Sequence, residues 1–326
     1  MPDTAITGAS GLVGGDLLKT LVDRGESCRA IVRSEASAQT VASLGATPVV
    51  ADLFDHDAMR DALWGAEVLY HVAGVNETCA RDSSAMDSVN IDATRSVIRA
   101  AAAGGVGRIV YTSSAAAIGE NQGIVANEDI VNNGEYLSPY ARSKHPAEIA
   151  AFEEASEVGI DLVAVNPSSV QGPGRSGGSA KILLYVLRSR RPVLTDSFLS
   201  IVDIGDCTAG HIAAADRGRA GERYLLSGAA LSVRDAVDLA QRVSGASINP
   251  RWVSEGVVRM VSRPASRFVN LVKPDAGLCP ALIDTLLHGH RFDGSRAERD
   301  LGVVYTPISD TFTRTIEWFR SEALIS

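Results

Sequence analysis

A glycine-rich turn near the start of the chain limits the folds that this sequence can adopt. The sequence TGASGLVG at residues 7–14 follows a short apolar stretch at 4–7, which predicts a strand, and leads into a helical pattern at 12–24. Glycines in this position allow a tight turn and a close approach of the backbone to a phosphate, which the helix N-terminus attracts. Such a turn is typical of a dinucleotide-binding βαβ unit. The residues expected to bind the cofactor here are Gly8, Ser10, Gly11, Leu12, Val13 and Gly14.

Strand and helix patterns alternate through the first half of the chain. Apolar stretches at 27–32, 47–51, 68–72, 108–112 and 162–165 predict strands, with helical patterns between them, including 39–44, 56–63 and 89–103. This alternation predicts an α/β fold, a Rossmann-type doubly wound parallel sheet. We expect residues 1–170 to form a dinucleotide-binding domain. Residues 171–326 are expected to form a smaller, mostly helical substrate-binding part, with about 199–227 returning to the nucleotide domain.

The composition is that of a globular protein without affinity for polyanions. The 326 residues carry a net charge of −8 and the sequence pI is about 5.3, which argues against a nucleic-acid partner or an anionic membrane. No signal peptide and no apolar run long enough to span a membrane is visible, so we expect a cytoplasmic location.

The cysteines and histidines show no metal-binding pattern. The cysteines are expected to be reduced thiols, because they are scattered and lack metal-ligand spacing. They are Cys28, Cys79, Cys207 and Cys279. His288 and His290 are two residues apart, without a carboxylate or cysteine at metal-ligand spacing, and we therefore expect no metal. His56 and His71 are interpreted as structural or surface residues.

The residue after the second predicted strand indicates which dinucleotide is bound. Folds that prefer NAD usually place Asp or Glu there to hold the ribose 2′-hydroxyl. This chain has Arg33 there, followed by Ser34, and the first carboxylate after the strand is Glu35. A guanidinium suits a 2′-phosphate by charge and by bidentate hydrogen bonding. The sequence therefore favours NADP(H), with NAD(H) as the alternative.

A tyrosine and a lysine four residues apart form a candidate proton-transfer pair. Ser138 and Pro139 predict a helix start, so Tyr140 and Lys144 would share one helix face. An ammonium beside a phenol favours the phenolate and would lower its pKa, which makes the phenol a better proton carrier at neutral pH. Pro146 lies beyond the pair, where it is expected to kink the helix without disturbing it.

Several further motifs occur in an order that resembles a known superfamily. The chain is similar to extended short-chain dehydrogenases/reductases, and within them to the dihydroflavonol-4-reductase-like and NAD-dependent epimerase/dehydratase proteins. The glycine turn matches the family's TGxxGxxG, and Tyr140 with Lys144 matches its YxxxK. The other matching residues are Asp52-Leu53, His71-Val72-Ala73-Gly74, Asn90 with Thr94, Tyr111-Thr112-Ser113-Ser114-Ala115 and Asn166-Pro167-Ser168-Ser169-Val170.

The resemblance implies a role for each matching residue. Tyr140 would exchange the proton at the substrate oxygen, Lys144 would lower the pKa of Tyr140 and bind the nicotinamide ribose, and Ser114 would hydrogen-bond the substrate oxygen, with Ser113 as the alternative serine. Asn90 would support the active-site helix or a water. The further cofactor contacts implied are Asp52, Leu53, Ala73, Gly74, Thr112, Pro167, Ser169 and Val170.

Three functions remain open from the sequence. The first is an NADP(H)-dependent reductase of a ketone or aldehyde of a small metabolite, and the second is a nucleotide-sugar epimerase with tightly bound NAD. The third is a non-catalytic, dinucleotide-sensing binding protein. Ala115 and Ala116 follow Ser114 where sugar-nucleotide dehydratases carry acidic residues, which argues against dehydration, and Ile118 replaces the tyrosine common in epimerases. The resemblance also implies a homodimer that pairs residues 89–103 and 138–152 across a two-fold axis.

Overall fold

A parallel sheet of seven strands forms the centre of the molecule. The computed structural model describes residues 3–261 and 279–325. The strand order is β3-β2-β1-β4-β5-β6-β10, and every neighbouring pair is parallel. This is the doubly wound order that the alternating pattern predicts, with its switch point between β1 and β4. The strands are β1 (Asp3–Thr7), β2 (Ser27–Val32), β3 (Thr47–Val50), β4 (Val68–His71), β5 (Arg108–Thr112), β6 (Asp161–Pro167) and β10 (Arg223–Leu226).

Helices cover both faces of this sheet because its strands are apolar on both sides. Along β5, Val110 joins the apolar cluster beneath the first, second and eighth helices, whereas Ile109 and Tyr111 join the cluster beneath the third, fifth and sixth. The helices are α1 (Leu12–Asp23), α2 (Glu35–Ser43), α3 (His56–Leu63), α4 (Ser84–Asp87), α5 (Ala93–Ala103), α6 (Pro139–Val158), α7 (Ala180–Arg188), α8 (Ile204–Arg217), α9 (Val233–Ser244), α10 (Pro280–His288) and α11 (Ile308–Ser321).

Two smaller sheets belong to the C-terminal half. β9 (Phe198–Asp203) lies between β7 (Ser169–Gln171) and β11 (Ala229–Ser232), and β8 (Val193–Thr195) pairs with β12 (Arg251–Val253). Strand β10 and helix α8, within the segment predicted to return to the nucleotide domain, pack with the central sheet. The division into a nucleotide-binding and a substrate-binding part stays a prediction, and residues 262–278 of the latter lie outside the described residues.

Several element boundaries differ from the sequence prediction for local reasons. Helix α2 begins four residues early, at Glu35, because the Ser34 hydroxyl accepts a hydrogen bond from the backbone N–H of Ser37 and caps the helix. The helix predicted at 89–103 begins at Ser84 and contains a π-turn, Ser88–Asp92, before α5. Helix α6 continues through Pro146 to Val158. Within the described residues, none of the helices combines the length and the apolar character that a membrane crossing needs.

The prediction of four reduced thiols is wrong for one pair. Cys79, in the loop after β4, and Cys279, the N-cap of α10, form a disulfide with Cα atoms 5.7 Å apart. The two residues are 200 positions apart in the sequence, so only the fold brings them together. Cys28 and Cys207 are free and buried, as expected for structural thiols.

Candidate active site

The motifs found in the sequence meet at the carboxyl edge of the central sheet. Thr7 of β1 is paired with His71 of β4, which is paired with Tyr111 of β5, and Thr112 is paired with Val165 of β6. The loops that follow these parallel strands therefore leave the sheet at one edge. That edge beside the switch point is where doubly wound folds bind their ligands.

The glycine turn is packed against the loop after β4. Gly8 has a φ of +75°, and a Cβ atom there would lie 2.6 Å from the backbone nitrogen of Ala73. A Cβ atom on Gly14 would lie 2.3 Å from the carbonyl oxygen of Gly8. Gly11 caps α1 without any side-chain hydrogen bond, and Ser10 and Gly11 are exposed. The turn therefore presents the first backbone amides of α1 to solvent, as a phosphate site requires.

Two loops beside this turn carry the residues predicted to contact the adenosine end of the cofactor. Arg33 follows β2, is exposed and makes no hydrogen bond or ion pair with the residues that the structure describes. Asp52 lies after β3, where its carboxylate accepts a hydrogen bond from the backbone N–H of Phe54 (3.0 Å). Leu53 is partly buried against the apolar cluster under α3. The guanidinium of Arg33 is thus available to a ligand at this edge.

Asn90 joins the loop after β4 to helix α6. It lies in the π-turn and is 1% exposed. Its side-chain NH₂ donates to Ser143 Oγ (2.8 Å) and to the carbonyl of Val75 (3.0 Å), and its Oδ1 accepts from the N–H of Val75 (2.8 Å). A Cβ atom on Gly74 would lie 3.2 Å from that oxygen. Asn90 therefore holds Gly74 and the helix of Tyr140 and Lys144 in a fixed relation.

Tyr140 lies at the start of α6, beside Ser114. Ser138 caps this helix by accepting a hydrogen bond from the N–H of Ala141 (3.1 Å), and Pro139 occupies its first turn, as predicted. Burial raises the pKa of Tyr140, while the hydroxyl of Ser114 and the charge of Arg175 offset part of the increase. Ser114 itself caps a short 3₁₀ turn, Ala115–Ala117. The phenol is consequently protonated at neutral pH.

Lys144 is buried beneath Tyr140 and points toward β5. Its ammonium donates to the hydroxyl of Tyr111 (3.3 Å) and to the carbonyl of Thr112 (3.0 Å), and it lies 5.0 Å from the centre of the Tyr111 ring. Burial lowers the pKa of Lys144 to about 8, although the nearby carboxylate of Glu148 opposes this change. The charge of Arg175 also acts on the phenol, and the expected tuning of Tyr140 by Lys144 stays a prediction.

The remaining predicted residues line the end of β6 and the strand after it. Pro167 ends β6, and Ser169 and Val170 begin β7. The carbonyl of Val170 accepts a hydrogen bond from the guanidinium of Arg175 (3.1 Å). Ser113 is buried next to Ser114, and its hydroxyl has no hydrogen-bond partner among the described residues.

Two charged residues of this site were missed by the sequence analysis. Arg175 comes from the glycine-rich loop after β7, where it follows Pro173 and Gly174 and reaches Tyr140. Glu148 is buried one turn beyond Lys144 and forms an ion pair with Arg223 (2.8 Å). Arg175 could have been found as a single cationic residue in a loop of small residues. Glu148 could have been found as a carboxylate four positions after Lys144. His71, in contrast, is structural as predicted, with hydrogen-bond contacts to Thr7 and Thr94.

Comparison with known proteins identifies the family of this chain. The model of the NAD dependent epimerase/dehydratase family matches residues 4–226. Sterol demethylase protein B of Methylococcus capsulatus is 31% identical over 330 residues, which cover 99% of each chain. A putative dihydroflavonol 4-reductase of Synechocystis sp. is 29% identical, over 98% of this chain and 95% of its own. The crystal structure of gox2253 has a TM-score of 0.86 and 27% identity over the whole of both chains.

These matches agree with the fold and with the order of the motifs. Proteins of this family are NAD(P)-dependent enzymes. The chain belongs to the NAD dependent epimerase/dehydratase family, within the extended short-chain dehydrogenases/reductases.

Proposed function

We propose that this protein is an NADP(H)-dependent reductase of a ketone or aldehyde of a small metabolite. The observation that carries the proposal is a protonated phenol, Tyr140, beside the hydroxyl of Ser114 at the sheet edge that also holds the glycine turn. Ala115 and Ala116, which follow Ser114, provide no acid or base for water loss. The name of the Synechocystis relative, a putative dihydroflavonol 4-reductase, also supports a reductase.

Tyr140 and Ser114 have different roles at the substrate oxygen. Ser114 donates a hydrogen bond to the carbonyl oxygen and stabilises the negative charge that develops there. Tyr140 then gives its proton to that oxygen, and its raised pKa keeps the proton available. Arg175 stabilises the phenolate that remains, because its cationic charge favours the deprotonated form.

The residues at the sheet edge fit a bound dinucleotide. The turn from Gly8 to Gly14 would hold the diphosphate, Arg33 the 2′-phosphate, and Asp52 with Leu53 the adenine side. When bound, the reduced nicotinamide supplies the hydride. Ala73, Gly74, Thr112, Pro167, Ser169 and Val170 would surround the nicotinamide end, and Lys144 would bind its ribose. The compact glycine turn supports this assignment, since a Cβ atom on Gly8 or Gly14 would overlap the backbone.

The role of Tyr140 is tested by Tyr140→Phe. We expect this change to lower kcat/KM for carbonyl reduction by about 10²–10⁴-fold, because it removes the general acid, while NADPH binding is retained. The matched control is Tyr136→Phe, whose hydroxyl contacts His145 instead (2.8 Å). Initial rates of NADPH oxidation over a panel of ketones and aldehydes give the comparison. Full activity of Tyr140→Phe would show that the mechanism is wrong.

The cofactor preference is tested by Arg33→Ala. Loss of a charged hydrogen-bond donor to the 2′-phosphate should weaken NADPH binding by about 10- to 100-fold and leave NADH binding unchanged. Both affinities can be measured by fluorescence titration of the purified protein. Arg24→Ala serves as the control, because Arg24 lies at the C-terminal end of α1, opposite the end that follows the glycine turn. An equal effect of Arg33→Ala on both dinucleotides would contradict the assignment.

A nucleotide-sugar epimerase is the second candidate, because the matching family model includes epimerases. An epimerase would retain tightly bound NAD during purification and show no net oxidation of its cofactor. Release of the dinucleotide by denaturation, followed by its identification, separates the two candidates: weakly held NADP(H) supports the reductase.

A further inference from the structure

One glutamate and two histidines converge outside the proposed reaction centre. Glu120 lies six residues after Ser114, His288 is the last residue of α10, and His290 follows after a glycine. One ligand atom from each residue lies within 4.8 Å of the other two. Nδ1 of His290 hydrogen-bonds Oε1 of Glu120, and Nε2 of His288 lies 3.6 Å from the same oxygen. Because 168 residues separate Glu120 from His288, the sequence spacing could not show this cluster.

The ring nitrogen of His288 that faces the cluster approaches Oε1 of Glu120 (3.6 Å) but is too far away for a hydrogen bond. Nε2 of His288 is buried and makes no hydrogen bond with any residue that the structure describes. Buried polar atoms nearly always have a partner, so an orphan directed toward a carboxylate points to a missing ligand. A metal ion would accept this nitrogen's lone pair.

The glutamate provides a buried negative charge for a cation. The Glu120 side chain is 4% exposed. Its Oε1 is the atom that both imidazoles face, with Nδ1 of His290 hydrogen-bonded to it and Nε2 of His288 3.6 Å away. A buried carboxylate is costly unless it is paired or coordinates a metal. Arg291 does not fill this role, because its guanidinium lies over the ring of Phe198 (4.7 Å) and donates to Gly123.

The backbone around the cluster is held in place by packing and hydrogen bonds. Gly289 has a φ of +71°, and a Cβ atom there would lie 2.7 Å from Ser197 Oγ, so the turn between the histidines requires glycine. Ser200 Oγ donates to the carbonyl of His290 (3.1 Å), which ties this segment to β9. Gly119 is similarly confined, since a Cβ atom would overlap the side chain of Asn132. The three ligands therefore hold positions that suit a preorganised site.

We propose that Glu120, His288 and His290 bind one divalent transition-metal ion of the zinc class, with a coordination position left open to water or a small ligand. Two imidazoles and one carboxylate are a known zinc ligand set, and sites with three protein ligands keep a fourth position open. The side chains of His288 and His290 are 12% and 25% exposed, so solvent reaches the cluster. A bound ion would attach α10 to the loop that carries Ser114.

The test is metal binding by tag-free protein that has been stripped with a chelator. Titration with Co²⁺ should produce the visible absorption of a tetrahedral site, and Zn²⁺ should displace it in a one-to-one ratio. Glu120→Gln, which preserves the shape of the side chain, and His288→Ala should each weaken binding by about tenfold or more. His56→Ala changes an exposed histidine elsewhere and should bind Co²⁺ as the wild type does.

Circular dichroism confirms that each variant is folded before titration. Zn²⁺ should also raise the Tm of the wild-type protein but not that of Glu120→Gln, because only a ligand that prefers the folded state stabilises it. The proposal is overturned if the wild-type protein shows no Co²⁺ band. It is also overturned if Glu120→Gln binds Co²⁺ with unchanged affinity, in which case the three residues form only a hydrogen-bonded cluster.

Discussion

Lys144 is buried in surroundings that disfavour its positive charge. The residue is 4% exposed, and its contacts are the hydroxyl of Tyr111, the carbonyl of Thr112 and, more remotely, the carboxylate of Glu148. Burial lowers the pKa of this lysine from 10.5 to about 8, so the ammonium persists at neutral pH at a cost in stability. This cost fits the proposed role of Lys144, in which the ammonium binds the nicotinamide ribose.

The lowered pKa of Lys144 predicts how its contribution to stability varies with pH. Between about pH 8 and pH 10.5 the unfolded chain retains the lysine proton that the folded protein has lost, so the contribution of Lys144 to the free energy of unfolding rises with pH. Lys144→Met removes this contribution. The difference between wild-type and variant unfolding free energies should therefore increase in favour of the wild type, by up to about 3 kcal/mol, from about pH 7 to about pH 10.5.

Urea unfolding of the cofactor-free proteins measures this difference. Lys19→Met is the control, because Lys19 is exposed and paired with Asp23 (2.9 Å) on the surface of α1. A wild-type-minus-variant difference that stays constant over this pH range would mean that Lys144 keeps an ordinary pKa in the folded protein.

The sequence predicted the candidate reacting residues but not Arg175, whose charge acts on one of them. Tyr140, Lys144 and Ser114 lie in short motifs, and each motif follows a strand that could be read from its apolar residues. Arg175 acts on Tyr140 from a loop 35 positions later, and this loop contains small residues without a helical or strand period. Local patterns report secondary structure, whereas the approach of two loops depends on the packing of the whole sheet.

At the scale of elements, the start of helix α6 was predicted correctly, whereas its predicted end at residue 152 falls six residues short of Val158. Ser138 and Pro139 mark its start, and Gly159 ends it in the left-handed region with a φ of +72°. The π-turn at Ser88–Asp92 was not predicted, since such turns are rare and are confined to a single turn of a helix. It nevertheless buries Asn90, which hydrogen-bonds Ser143 of α6. The predicted support of the active-site helix by Asn90 thus has a structural basis.

At the scale of the whole molecule, the strand order was accessible from the sequence and the C-terminal half was less so. Parallel strands with intervening helices admit few topologies, and handedness rules reduce them further. The three-stranded sheet of β7, β9 and β11 mixes parallel and antiparallel pairing, and its strands of three to six residues are too short for a clear period. The predicted homodimer depends on a second copy of the chain and stays a prediction.

The disulfide connects the N-terminal half of the chain to the C-terminal half and should contribute to the stability of the whole molecule. Cys79 belongs to the loop after β4, and Cys279 caps α10, which leads directly to His288 and His290. A crosslink between residues 200 positions apart restricts the unfolded chain strongly. We expect Cys79→Ser to lower the free energy of unfolding by about 2–4 kcal/mol under non-reducing conditions.

The control uses the second cysteine and a reductant. Cys279→Ser should have the same effect as Cys79→Ser, and the double variant should be no less stable than either single one, because the bond is lost only once. Dithiothreitol should lower the urea midpoint of the wild-type protein to that of the variants and leave the variants unchanged. A thiol assay on the unfolded, unreduced protein should detect only Cys28 and Cys207. Detection of all four thiols would rule out the bond, and the link between α10 and the loop after β4 would then depend on packing alone.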